Sequence, residues 1–256
     1  MLVLPSKPNH KGPFMKGPRY AVDGALRRRI HLFRHGDVSY VTPEGQRVPD
    51  PRVVPLTDWG HEQAKEMGEF LSHVHFDHAA CSGLLRTVQT SSGILHGRNM
   101  EPQHIGDMEE VRGGGDRSKP PPSIEAAAYA FHGAGEPGAR YRDGERFADF
   151  EARVLSGLDQ LLAQPDWHSL ALVLHGGANR IILGWALGSG LRSFGSFEQN
   201  TCCLNIIDVD THPDTGEVLR KLVRGVNITA YDTARQNDHL TTLETGVEKY
   251  RKMLES

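Results

Sequence analysis

The chain lacks any apolar run approaching the roughly 20 residues that a helix needs to cross a bilayer. Its opening MLVLP is broken by Pro5 before it can form the core of a secretory signal. A membrane partner is thereby excluded and a cytoplasmic location expected. Cysteine is scarce: Cys81, Cys202 and Cys203 are an odd set without a C-x-x-C pair, which argues against both a disulfide framework and a thiolate zinc site. All three sit among apolar neighbours and read as buried, inert thiols. A large excess of one charge is also missing. With a net charge of −3 the protein has no global field to draw it onto nucleic acid or an anionic membrane, so an anionic partner must be gripped by a local set of groups.

What is present is a chain of 256 residues, 38% hydrophobic, long enough for one α/β domain with a full core. Residues 1–28 scatter Lys7, Lys11, Lys16 and Arg19 among prolines and glycines and read as a solvated extension ahead of a single domain over 29–256. Arg29–Phe33 is a short strand that stops at Arg34-His35-Gly36, leaving His35 as an exposed strand-end imidazole. Thr57 can cap a helix carrying Ala64, Met67, Leu71 and Val74 on one face. A short strand, Ala79–Cys81, and a helix from a Ser82 cap to about Leu95 follow. Residues 112–144 are rich in glycine and proline around IEAAAYAF and read as a loop-rich insertion. Phe147, Phe150, Val154, Leu158 and Leu161 mark a helix stopped by Pro165. The buried strand Leu170–Leu174 ends at His175-Gly176-Gly177, an apolar helix begins near Ala178, and CLNIIDV and EVLRKLVRGV form a hairpin. This alternation predicts a three-layer α/β/α sandwich around a mostly parallel central sheet. Ligands bind such sheets beyond the carboxyl ends of the strands, where His35 and His175 both lie.

Two histidine strings point to different chemistries. HVHFDH, residues 73–78, has the spacing of a zinc-hydrolase motif, but those motifs sit on a loop directly after a strand, whereas a helix precedes this one. On a helix end His73 and His75 diverge by about 200°, and the string reads as solvated histidines suited to the helix dipole. The other string is FRHGD, residues 33–37. A histidine attacking phosphorus needs a neutral, fixed ring, cationic donors for the phosphoryl oxygens and a proton for the leaving oxygen. Arg34 adjoins His35 and offers a planar fork whose charge also disfavours the imidazolium. Gly36 leaves room for close approach of a phosphate. In SGLLRT, Arg86 falls in the first turn of a helix after a strand, so guanidinium and helix N-terminus can act on one anion. His175-Gly176 repeats the strand-end histidine with a glycine gap.

The ordered set LFRHG (32–36), PLTDWGHEQAKEMG (55–68), CSGLLRTVQT (81–90), MEEVRGG (108–114), DGERFADFEARV (143–154) and LVLHGGANRIIL (172–183) resembles the histidine phosphatase superfamily, the phosphoglycerate mutase-like proteins. A weaker likeness continues in RGVNITAYDTARQNDHL (224–240). The resemblance implies that His35 becomes a phosphohistidine, that Arg34 and Arg86 bind the phosphoryl group with Gly176 leaving space beside it, and that His175 donates to it. It also implies a carboxylic acid from MEEVRGG; Glu110 aligns best and Glu109 is the alternative. The chain departs from the family after Arg-His-Gly, with Asp37-Val38-Ser39-Tyr40 and no asparagine before Asn99, so that Ser39 stands where a hydroxyl is usual. The function expected is hydrolysis of phosphate monoesters of small molecules, without metal or other cofactor. The alternatives are mutase-type phosphoryl transfer, disfavoured because RGGGDRSKPPPS lacks a mutase-like lid, and a non-catalytic phospho-ligand-binding protein. Arg47 and Arg52 in the 37–55 loop read as solvated charges with a substrate contact as the other option, and Arg112, Arg117, Lys119, Arg140 and Arg142 in the insertion read as solvated charges with a second anionic substrate group as the other option.

Overall fold

The computed structural model describes residues 18–21, 23–42, 46, 48–114, 123–234 and 239–255. Its centre is a seven-stranded sheet: β1 (Arg19–Tyr20), β2 (Leu26–Arg34), β3 (His78–Cys81), β4 (Gln103–His104), β5 (Ser169–Leu174), β6 (Leu204–Thr211) and β7 (Val218–Ile228). The spatial order is β4-β3-β5-β2-β6-β7, with β1 paired to β2. β3 pairs in parallel with β4 and β5, and β5 with β2. β6 is antiparallel to both β2 and β7, so five of the seven strands point the same way. β1 and the start of β2 draw residues 19–20 and 26–28 into the sheet, from the stretch read as an extension. Lys7, Lys11 and Lys16 lie outside the described residues.

Alternation along β2 builds two cores. Ile30 and Leu32 face one way and pack with Phe150, Val154 and Leu158 of α4 (Phe147–Leu162) and Ile181 and Ile182 of α5 (Gly176–Leu187). Phe33 faces the other way, onto Ala64 and Met67 of α1 (Asp58–Phe70) and Ile94 of α2 (Leu85–Ile94). The buried stripe of α1 is Gly60, Gln63, Ala64 and Met67, spaced for one helical face, and Thr57 caps it by accepting from the Gly60 N–H. α5 is buried almost throughout and ends at Gly188 in the left-handed region. Two further helices are α3 (Ile124–Ala128) and α6 (Thr242–Glu255). Among the described residues no helix is long and apolar enough to cross a membrane.

Two local expectations need correction. Ser82 does not cap α2: the N-cap is Leu84, which offers no side-chain bond. And α1 stops at Phe70 rather than running through Val74; the chain turns there, with the Val74 N–H on the Leu71 carbonyl, and the Arg98 guanidinium donates to the carbonyls of Leu71 and Val74 beyond the helix end. The insertion is also better anchored than a surface loop: Ala134 is buried, and Phe131 packs edge-on against Phe147 and Phe194.

Candidate active site

The parallel register places the carboxyl ends of β2, β5 and β3 side by side, Arg34 opposite Leu174 and Cys81 opposite Val173. The residue that follows each strand is His35, His175 and Ser82 respectively, and the His35 N–H donates to the Leu174 carbonyl at 2.9 Å. The two imidazoles stand 5.3 Å apart between centroids at 63°. Both are buried, so the expectation of an exposed His35 is corrected: the side chain is 2% accessible.

His35 Nδ1 lies 2.8 Å from the Gly36 carbonyl. A carbonyl only accepts, so Nδ1 carries the hydrogen and Nε2 of the neutral ring keeps its lone pair. Burial, then Arg86 and Arg34, hold the His35 pKa well below the ordinary histidine value. Burial, then Arg86, His35 and Arg34, do the same to His175. The backbone after His35 is pinned by side chains from two helices: Thr90 accepts from the Gly36 N–H at 3.0 Å and Gln63 from the Asp37 N–H at 2.8 Å. A Cβ on Gly36 would overlap the carbonyl of Gly60, so only glycine lets this turn lie against α1.

Arg86, in the first turn of α2, is 3% exposed; one Nη donates to the Pro51 carbonyl at 2.9 Å and Nε has no hydrogen-bond partner among the described residues. Arg34, half-buried at the end of β2, has one Nη on the Gln199 carbonyl and an Nε without a hydrogen-bond partner among the described residues. Among the described residues neither guanidinium forms an ion pair. The buried Arg86 and the half-buried Arg34, with no carboxylate partner among the described residues and beside a neutral imidazole with a free lone pair, could together receive an anion of two or more negative charges.

Glu110 reaches the same place. Its Oε2 accepts from the Gly177 N–H at 3.0 Å and its Oε1 from the Val111 N–H at 2.9 Å, which sets the carboxyl at the N-terminus of α5 beside His175. A Cβ on Gly177 would overlap Glu110, and one on Gly176 would stand 3.1 Å from Arg180 Nη1 and 3.5 Å from Arg34 Nε. Glu109 points elsewhere, to Arg52 at 2.7 Å and Arg112 at 3.5 Å. Arg52 and Arg112 are therefore paired rather than merely solvated; Arg140 donates to the Gly144 carbonyl and Arg142 lies over the Tyr141 ring. Arg47, Arg117 and Lys119 lie outside the described residues. Ser39 is exposed and donates to the Val41 carbonyl, so its hydroxyl is committed locally.

Several residues of the site carry no motif in the sequence. Arg153 of α4 donates to the carbonyls of Asp107, Glu109 and Glu110 and pairs with Glu145 at 2.6 Å, clamping the segment that presents both glutamates. Arg180, 4% exposed, ties the Gly176 and Phe197 carbonyls together. The available signal was a polar residue on a buried helical face, as at Gln63, Thr90 and Arg180.

HVHFDH is taken up by structure. Because α1 ends before it, the divergence argument for His73 and His75 does not apply; residues 73–77 connect α1 to β3 and His78 opens that strand. Asp77 accepts the N–H groups of His168 and Ser169 at 2.9–3.1 Å, fixing the entry to β5. Phe76 is buried edge-on to His31, and His78 lies 3.2 Å from the Gln103 amide oxygen. Among the described residues no three metal-binding side chains converge. The cysteines are free and buried, with burial raising the Cys81 and Cys202 thiols and pushing Cys203 up to about 12.

The profile of the histidine phosphatase superfamily (branch 1) matches residues 30–221, from β2 into β7. The chain belongs to the histidine phosphatase superfamily. Relatives of this histidine phosphatase include the adenosylcobalamin/alpha-ribazole phosphatase of Salmonella typhimurium, 29% identical over 71% of this chain and 90% of that one. A broad-specificity phosphatase of Saccharomyces cerevisiae is 32% identical over 61% of this chain and 69% of its own length. Of solved structures, the alpha-ribazole phosphatase from Shigella flexneri matches with a TM-score of 0.62 at 23% identity, over 78% of this chain and 96% of that one, a likeness of fold. The family and its named phosphatases make the chain a phosphohydrolase.

Proposed function

We propose that this phosphohydrolase cleaves phosphate monoesters of small molecules through a phosphohistidine on His35. Nε2 of His35 attacks phosphorus, the N–P bond forms as the ester P–O bond breaks, and Glu110 gives the departing oxygen its proton. Water then attacks phosphorus with the Glu110 carboxylate taking its proton, and the N–P bond breaks to return the neutral imidazole. Arg34, Arg86 and His175 hold the phosphoryl oxygens, and Gly176 keeps the approach clear. The charge that builds on those oxygens is met by the two guanidiniums, so the scheme runs without a metal ion, and the protein works in the cytoplasm.

The observation that carries this reading is the bare Nε2 of His35, fixed by the Gly36 carbonyl, beside the buried Arg86 and the half-buried Arg34, which no carboxylate neutralises among the described residues. The test is trapping: rapid acid-free quenching after mixing with substrate should recover base-stable, acid-labile phosphate on wild type and none on His35→Ala. Label that survives in the variant would move the nucleophile elsewhere. Residues 115–122, which bear on the mutase alternative, lie outside the described residues.

A further inference from the structure

Ser82 closes β3, and its hydroxyl touches His175. Ser82 Oγ lies 2.8 Å from His175 Nε2 and 3.0 Å from Thr87 Oγ1, and Thr87 Oγ1 lies 2.7 Å from the Leu84 carbonyl oxygen. Three contacts at these distances require three hydrogens between their heavy atoms, and the two hydroxyls supply two. The Leu84 carbonyl can only accept, so the Thr87 hydrogen points to it. The Ser82–Thr87 contact must then use the Ser82 hydrogen. The hydrogen in the Ser82–His175 contact can therefore come only from the ring. The Leu84 N–H, 3.4 Å from Ser82 Oγ, is a further donor to the serine and leaves the count unchanged.

We infer that Ser82, oriented by Thr87, is a positioning residue that holds neutral His175 as its Nε2–H tautomer and leaves Nδ1 as the atom that meets the phosphoryl group. Nδ1 is buried and has no hydrogen-bond partner among the described residues. The inference rests on the reading of His175 as a phosphoryl ligand. It adds that a phosphoryl oxygen at Nδ1 either brings its own hydrogen, as a monoanion does, or is met by a ring that has taken one up. The relay runs from the Leu84 carbonyl through Thr87 of α2 to Ser82, the residue after β3, so the strand end that places Ser82 beside β5 also sets the protonation of a residue 93 positions away.

The experiment is nitrogen NMR on the full chain labelled with ¹⁵N-histidine at neutral pH, where protonated and bare ring nitrogens resonate far apart, with His175 assigned by its loss in His175→Asn. Wild type should show His175 with Nε2 protonated. Thr87→Val, nearly isosteric, removes the acceptor of the Ser82 hydrogen; Ser82 should then turn to His175 and convert the ring to Nδ1–H. Ser82→Ala, which keeps a readout if the valine variant does not fold, should leave the ring in both tautomers. In both variants kcat should fall about 10²-fold, the lower range of acid–base contributions, with KM nearly constant. An Nδ1–H ring in wild type, or a ring that stays wholly Nε2–H in the variants, overturns the inference. Wild-type turnover in His175→Asn would instead overturn the phosphoryl role of His175 while the tautomer assignment stood.

Discussion

Strand β2 carries arginines into two settings that use them in opposite ways. At its start Arg27 and Arg29 reach across to β6, where Arg27 pairs with Asp210 at 2.7 Å and Arg29 with Asp208 at 2.7 Å. From the far side Arg220 and Arg224 of β7 close on the same two carboxylates at 2.6 and 2.8 Å. The result is a ladder of arginine, aspartate and arginine over three strands, in which each charge finds its opposite and the aspartate pKa values are held down. At the other end of the strand Arg34 faces Arg86 and two neutral histidines, without a carboxylate partner among the described residues. Residue type is the same at both ends. On the proposed function, what separates scaffold from site is whether the protein supplies the counter-charge or leaves it to the ligand, since an unneutralised buried cation costs stability unless something else gains from it.

The sharpest break of that comparison is to remove a cation at the site. Arg86→Ala should lower kcat/KM by about 10²–10³-fold or more, the range for a donor aimed at developing charge, while leaving thermal stability equal or higher because a buried charge disappears. Kinetics with an aryl phosphate and a melting curve on the same sample test both halves. A large loss of stability alongside the activity would place Arg86 with the scaffold.

Glu110 and Glu109 repeat the contrast one residue apart, one facing the site and one already paired with Arg52 and Arg112. Glu110→Gln should depress kcat/KM for an alkyl phosphate by about 10²–10⁴-fold and for a nitrophenyl phosphate far less, because phenolate departs almost without a proton. Glu109→Gln should spare both. Equal losses on the two substrates for Glu110→Gln would leave it a positioning group, and a leaving-group-dependent loss confined to Glu109→Gln would move the acid one residue upstream.

How much of this was legible in the sequence follows from the range of each interaction. Strand alternation in β2, the stripes of α1 and α4 and the Thr57 cap are set by neighbours within a few residues, and they were readable. His35 and His175 were readable because each ends an apolar run at a glycine. The relay from Ser82, the Arg153 clamp and the Arg98 bonds beyond the end of α1 join residues 24 to 93 positions apart, and no local pattern announces them. The burial of His35 was missed for the same reason: the Leu174 carbonyl, Thr90 and the β5–α5 turn that enclose it come from distant stretches.

Between the two ends of β2 lies His31, buried against Phe76 with Nδ1 unpartnered among the described residues and a pKa lowered to about 4 by burial first and by Arg29 second. The unfolded chain takes up this proton near 6.5, the folded one only near 4, so the unfolded state binds more protons in that window. Stability is complete above about pH 6.5 and should fall as the pH drops to about 4, by about 3 kcal/mol from this group. Because His35 and His175, also held below the ordinary value, add to the wild-type slope, denaturant titrations across the window should show a steeper slope in wild type than in His31→Leu, the difference being the part due to His31. An unchanged slope would mean that other groups set the acid limit.

The smallest effect is expected at the ladder, and it tests the comparison from its structural side. Arg29→Ala leaves Asp208 fully buried but still paired with Arg224, so the carboxylate is not stranded. The cost should sit between that of an exposed pair and that of a broken buried one, about 1–2 kcal/mol, because Arg29 and Arg224 are themselves partly in water and screened. Removing both partners, as Arg29→Ala with Arg224→Ala, strands the aspartate, and the cost should exceed the sum of the single substitutions. Asp208→Asn in the double variant should recover part of it by discharging the buried group. Through all of these changes kcat/KM for an aryl phosphate should hold within about twofold, since the ladder lies at the opposite end of β2 from His35. A double-substitution cost no greater than the sum would show that water reaches Asp208 when its arginines leave. A loss of kcat/KM comparable with that of Arg86→Ala would erase the distinction between the two ends of the strand.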